Sequence, residues 1–264
     1  MEKKYNFLRP IKNKNLIRLG READGGYVVD KNIVQSTNHL VTFGLGPDWS
    51  FELDYIKLNT EVKISMYDYT VSAYPYLKEI FKYLRRFLTF RSKLKDVKDR
   101  INYLKNYLNF FKLKNVDFYP EKITFPTLNK IDTDINKVFL RIPNNEKIVL
   151  KSDIEGSEFK IIDEILNYSS QIKMLIFEFH WLNINEEKFL NSIKKIKEKF
   201  NIIHLHGNNH CEKLESGLPI ALEMTFIHKD IQKDNGNYIN EFPNKELDFP
   251  NNPYKEDLNL SFSD

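Results

Sequence analysis

Short apolar runs recur along the chain, each ended by polar or turn residues. They are HLVTFGL (39–45), VKISMYD (62–68), KIVLKSD (147–153), KMLIFEFHW (173–181), NIIHLHG (201–207) and ALEMTFIHK (221–229). Their length and their β-branched and aromatic content predict strands rather than helices. Between several of them, FELDYIKL (51–58), FKIIDEIL (159–166) and NEEKFLNSIKKIKEKF (185–200) place apolar residues three and four apart, the spacing of amphipathic helices. Asn183 or Asn185 is a suitable cap for the last of these.

Strands alternating with helices predict an α/β fold with a parallel sheet covered on both faces. The last two strands are joined by HGNNHCEKLESGLPI, which contains Gly207 and Gly217 and no helical pattern. They are therefore expected as antiparallel neighbours at one sheet edge. A mostly parallel, Rossmann-like sheet closed by a terminal antiparallel strand is the architecture of class I methyltransferases, an analogy that at this point concerns fold alone. Two segments stand outside this frame in what is otherwise one domain spanning 1–264. Residues 77–114 carry twelve Lys/Arg and three Asp/Glu, with apolar residues stepping by three and four and a break near Thr89–Ser92. They read as a basic helical insertion, either a pair packed on the domain, a homodimer contact, or a surface for an anionic acceptor or membrane. The segment 230–264 is polar, contains Pro243, Pro250 and Pro253, and reads as an irregular tail laid over the surface or partly disordered.

Composition narrows the partners. The 264 residues are 41% hydrophobic and 29% charged, ordinary for a globular protein, and a net charge of +3 gives no reason to expect nucleic acid. The single cysteine, Cys211, forbids an internal disulfide and suits a reducing cytoplasm. MEKKYNFLRP lacks the apolar core of a signal peptide. No run approaches the ~18 apolar residues of a spanning helix. A soluble cytoplasmic protein is the expectation.

TFGLGPDWSFE follows a strand and opens a helix. Gly44 and Gly46 permit close backbone approach to a ligand at the strand's carboxyl end, and the helix start offers free N–H groups. The next strand ends some twenty residues later in Tyr67-Asp68, and an acid there can accept hydrogen bonds from ribose hydroxyls. Glycine loop and acid at this spacing favour an adenosine ligand over a plain strand–helix turn. The loop lacks both the third glycine of a dinucleotide fingerprint and the Lys-Ser/Thr of a P-loop.

IVLKSDIEGSEF (148–159) raises the question of chemistry, because three acids follow an apolar run at once. Residues two apart on a strand share a face. Asp153 thus aligns with Lys151 and Glu155, Glu178 with His180, and His204 with His206. Ligands of open α/β sheets sit beyond the carboxyl ends of the strands, where Asp153, Glu178, His180 and His206 would converge. Glu155 and Glu158 also suit the start of the following helix. A hard cation such as Mg²⁺ or Mn²⁺ on Asp153 and Glu178, with His180 a further donor, fits oxygen-ligand chemistry. His210 and Cys211 lack the spacing of a structural zinc site.

RLGREADGGYVV (18–29), TFGLGPDWSFE (42–52), KSDIEGSEFKIIDEI (151–165) and IFEFHWL (176–182) together resemble the FkbM-type methyltransferases. The most specific element is the Asp-x-Glu-Gly-x-Glu segment, here Asp153 to Glu158. The resemblance implies an S-adenosylmethionine-dependent O-methyltransferase acting on a small-molecule carbohydrate acceptor, a nucleotide-activated sugar or a surface-polysaccharide precursor. It implies that Gly44 and Gly46 approach the amino-acid part of the cofactor, that Asp68 beside Tyr67 holds its ribose, and that Asp24-Gly25-Gly26-Tyr27 turns nearby. A hydroxyl nucleophile needs help to lose its proton. His180 or His206 is the expected base, with Asp153 and Glu178 orienting it or holding a metal. An NAD-dependent enzyme and a non-catalytic scaffold docking through the basic helices are the alternatives.

Overall fold

The computed structural model describes residues 1–262. The final two residues of the expected tail lie outside them. In chain order the elements are β1 (Leu16–Leu19), β2 (Tyr27–Asp30), α1 (Lys31–Ser36), β3 (His39–Phe43), α2 (Ser50–Leu58), β4 (Lys63–Tyr67), α3 (Tyr74–Leu88), α4 (Leu94–Phe110), β5 (Val116–Tyr119), β6 (Lys122–Ile123), β7 (Asp132–Thr133), α5 (Ile135–Leu140), β8 (Ile148–Ser152), α6 (Ile162–Leu166), β9 (Ile172–Phe179), α7 (Leu182–Lys199), β10 (Phe200–Gly207), β11 (Leu222–His228), β12 (Glu241–Phe242) and β13 (Leu260–Ser261).

Seven strands form the central sheet in the order β10-β11-β9-β8-β3-β4-β5. The pairs from β9 through β8, β3 and β4 to β5 are parallel, and β11 runs antiparallel to both β9 and β10. The chain therefore adopts a Rossmann-like α/β fold with the class I methyltransferase arrangement, as expected. The alternation that marks a strand also divides its burial between two cores. Val41 and Phe43 of β3 and Ile148 and Leu150 of β8 enter the core that includes Phe189 and Ile193 of α7. Leu40 and Val149 enter the opposite core with Ile33 of α1 and Phe51 of α2.

Three features depart from the expectation. The basic segment does not interrupt the alternation. It is the crossover joining β4 to its parallel neighbour β5, a four-residue strand with no long apolar run to announce it. Helix α7 begins after Trp181, which adopts φ 57°, and Asn185 (φ −122°) sits at a kink rather than at the cap. The tail is held down, because β12 pairs with β13 and Asp248, Asn251, Leu260 and Phe262 are buried. Among the described residues no helix is long and apolar enough to cross a membrane.

Candidate active site

The carboxyl ends of β3, β4 and β8 meet at a crevice of about 480 Å³ lined by Gly44, Gly46, Tyr67, Asp68, Asp153 and the β1–β2 turn at Asp24 and Gly25. Six acids and three bases line it in all, so its field favours a cation. Tyr67 lies stacked on Tyr119 with ring centroids 4.8 Å apart.

The two loop glycines serve different ends. Gly44 has φ +75°, and a Cβ there would lie 1.7 Å from the Asp153 carbonyl oxygen. The Asp153 N–H in turn donates to the Phe43 carbonyl at 2.9 Å, so the glycine loop and the acidic loop are packed backbone to backbone. Gly46 has φ +59° and no atom within 4 Å of where its Cβ would stand. It supplies conformation and leaves the crevice open.

Asp68 ties this loop to the next strand. Its Oδ2 accepts the Leu45 and Gly46 N–H groups, both at 2.9 Å. Its Oδ1 accepts the Thr70 N–H at 2.7 Å and the Thr70 hydroxyl at 2.6 Å. Burial alone would raise its pKa, but these bonds outweigh burial and lower it. Asp68 thus lies where it was expected, with its acceptor positions already filled by the protein.

A second crevice of about 310 Å³ adjoins the first, lined by Glu178, His180, Trp181, Asn208, His210 and Cys211 together with Asp24, Asp153 and Glu155. Asp24, Asp153 and Glu155 belong to both crevices. Asp153 is the central group. The Tyr27 hydroxyl lies 3.0 Å from its Oδ2 and 3.3 Å from Glu178 Oε2. One hydroxyl proton cannot serve both acids. Burial first, then the charges of Asp153 and Glu223, push Glu178 well above the usual carboxylate range. Tyr27 can donate to only one of the two acids at a time. The other Glu178 oxygen accepts from Asn208 Nδ2 at 2.7 Å. Burial raises the Asp153 pKa as well, against the opposing charges of Lys151 and His180.

His180 is held rather than free. Its Nδ1 lies 3.1 Å from Glu158 Oε1, and its Nε2 lies 3.7 Å from an oxygen of each of Asp153, Glu155 and Glu178. Burial lowers its pKa, but the Glu158 bond and the charges of Glu178, Glu158 and Asp153 prevail and push it up to about 10. This setting favours the protonated ring, which suits a general base less well than the free imidazole expected at this position. Glu158 is not merely a helix-start acid. It is completely buried, and Oε1 also accepts the Ile154 N–H at 3.1 Å. The turn that sends it inward uses φ 53° at Glu155 and φ 92° at Gly156. At Gly156 a Cβ would stand 2.9 Å from the Trp181 ring.

His206 lines neither crevice. Its strand lies beyond β11, two places out from β9, and the tail covers it. Its Nε2 lies 3.0 Å from both Asp257 oxygens and its Nδ1 3.3 Å from Glu223 Oε2. It anchors the tail, and the catalytic role expected for it is withdrawn. His204 likewise meets Asp248 at 3.1 Å. The expected metal pair changes too. Among the described residues the metal-suited donor set is Asp153, Glu155 and His180, with ligand atoms within 4.8 Å of one another. Glu178 is not in that set, and its two oxygens meet Tyr27 and Asn208.

No family profile matches the chain, and no curated protein matches it. Among solved structures, the chain is similar to a precorrin-6y C5,15-methyltransferase from Geobacter metallireducens (TM-score 0.37, 9% identity, 75% of this chain and 86% of that one). It is also similar to the Methanococcus jannaschii fibrillarin pre-rRNA processing protein (TM-score 0.38, 9% identity, 74% and 68%). A third likeness is to spermidine synthase from Thermotoga maritima (TM-score 0.39, 10% identity, 82% and 65%). Likenesses this distant carry no argument about chemistry. The fold stands on strand order and direction.

Proposed function

We propose that this chain is an S-adenosylmethionine-dependent O-methyltransferase whose acceptor is a carbohydrate hydroxyl, carried on a nucleotide-activated sugar or a surface-polysaccharide precursor. The observation that carries this reading is the pair of crevices sharing Asp153 as a wall. The larger one falls in the size range of small-ligand sites, and its acidic lining suits a sulfonium. Gly46 leaves its floor open. A ribose diol would reach Asp68 only by taking the place of the Thr70 hydroxyl, so the ribose contact expected there requires that exchange.

When bound, S-adenosylmethionine supplies an electrophilic methyl group for in-line displacement. The chain's own work is to position the acceptor hydroxyl and take its proton. Asp153 is the proton acceptor in this reading. It faces both crevices, and its raised pKa makes it a stronger base than an exposed carboxylate. His180 holds positive charge beside it, fixed from behind by buried Glu158. The Tyr27 hydroxyl meets the second Asp153 oxygen.

A second route rests on the donor set of Asp153, Glu155 and His180. A histidine backed on one nitrogen by a carboxylate and facing acids with the other is the arrangement of a metal ligand. A Mg²⁺ or Mn²⁺ there would acidify the acceptor hydroxyl directly. Radiolabelled methyl transfer to a panel of nucleotide sugars, with and without chelator, tests both routes. Transfer that survives chelation and is abolished by Asp153→Asn supports the base. Transfer restored only by added Mg²⁺ or Mn²⁺ supports the metal. Full transfer by Asp153→Asn refutes both.

A further inference from the structure

Helix α3 has no buried residue, although it is strongly amphipathic. Its apolar surface has two parts. Tyr76, Ile80, Tyr83 and Phe87 are half-buried toward the rest of the hairpin, where Arg100 lies over the Tyr83 ring at 4.6 Å. Tyr74, Leu77, Phe81, Leu84 and Leu88 step by three and four along a neighbouring stripe and are all exposed, Phe81 by 65% and Leu88 by 68%. The stripe runs to the hairpin tip, where Phe90 is 97% exposed and Leu94 is 50% exposed.

Cations border this stripe. At 100° per residue, Lys78, Lys82 and Arg85 fall directly beside Tyr74 and Phe81. Arg91, Lys93 and Lys95 neighbour Phe90 and Leu94 along the chain at the tip. Residues 77–114 carry a net +9, while the whole chain carries +3. Apolar side chains flanked by lysine and arginine are the design of an interfacial helix, which buries its apolar face at the headgroup boundary while its cations meet anionic lipid. A second copy of the chain would bring two such basic borders together, and like charges oppose that pairing.

We propose that the α3–α4 hairpin docks the protein on an anionic lipid surface through the Tyr74–Leu88 stripe and the Phe90 tip. A separate cavity links the same hairpin to the rim of the larger crevice. It measures about 390 Å³ and runs between Pro75, Tyr76 and Arg100 on the hairpin side and Gly46, Pro47 and Thr70 at the crevice. Docking would therefore hold the crevice close to the lipid. The docking stands whether or not the chain transfers methyl groups.

The experiment is flotation of the full chain with phosphatidylcholine vesicles and with vesicles containing phosphatidylglycerol as well. At low salt the protein floats with the anionic vesicles and not with the neutral ones, and added salt releases it. Lys78→Gln, Arg85→Gln and Arg91→Gln together lower the partition coefficient on the order of 100-fold, taking about five-fold for each cation. Leu84→Asp with Leu88→Asp abolishes flotation without changing the melting temperature, because both side chains are exposed. Three results would overturn the proposal. One is no flotation at low salt. Another is equal flotation with neutral vesicles. The third is a dimer by light scattering that the Leu84→Asp, Leu88→Asp protein does not form, which would assign the stripe to a second copy.

Discussion

Replacing each loop glycine by alanine separates conformation from packing. Gly46→Ala must place an L-residue at φ +59° but meets no neighbour. Its expected cost is the left-handed strain alone, about 1–2 kcal/mol. Gly44→Ala carries the same strain at φ +75° and puts a methyl group 1.7 Å from the Asp153 carbonyl oxygen, a backbone atom that no rotamer change can move. Overpacking of this kind adds about 1–3 kcal/mol. For a chain of this size each kcal/mol lowers the melting temperature by roughly 2–4 °C. Gly44→Ala should thus melt roughly 2–12 °C below Gly46→Ala in calorimetry. It should also bind S-adenosylmethionine less tightly, because relief of the clash displaces Asp153 from the shared wall. Equal melting temperatures for the two variants would refute the close packing of the glycine loop against the acidic loop.

Asp68→Asn leaves two of the four donors around this side chain without an acceptor, so it should lose about 2–3 kcal/mol in urea denaturation and weaken cofactor binding. Lys151 Nζ lies 3.9 Å from Glu52 Oε1 with both groups buried. Lys151→Met should cost about 3–5 kcal/mol by stranding Glu52, and adding Glu52→Gln should recover most of it. His206 is pushed up to about 10, as burial is outweighed by its bonds to Asp257 and Glu223. A raised pKa means that its stabilisation is complete below the ordinary histidine value near 6.5 and is lost as pH rises through about 10. Stability measured across that window should fall more steeply for the native chain than for His206→Gln.

The central sheet was legible because six of its seven strands are short runs of β-branched and aromatic residues between turns. β5 escaped notice because Val116–Tyr119 is only four residues long and lies at the sheet edge. Missing it made the α3–α4 hairpin look like an insertion instead of a crossover. Period-two alignment brought Asp153, Glu178 and His180 together correctly, since all three follow or end adjacent strands. It could not exclude His206, because alternation reports a residue's face and not how far out its strand lies. The contacts that Glu158 and Tyr27 make in the site were not legible, although the 24–27 turn was expected near the cofactor. Glu158 meets His180 across 22 residues, and Tyr27 meets Asp153 across 126. Contacts at that separation leave no local pattern. The one available signal for Glu158 was its place in the acidic segment 153–158, where a helix-start role explained it equally well.

The most direct test of the site is calorimetric titration of the full chain with S-adenosylmethionine and, separately, with NAD. One molecule of S-adenosylmethionine per chain should bind, with affinity reduced in Asp68→Asn and Gly44→Ala, and NAD should give no heat of binding. Saturable NAD binding, or no S-adenosylmethionine binding by a folded chain, would contradict the assignment of the Gly44–Asp68–Asp153 crevice.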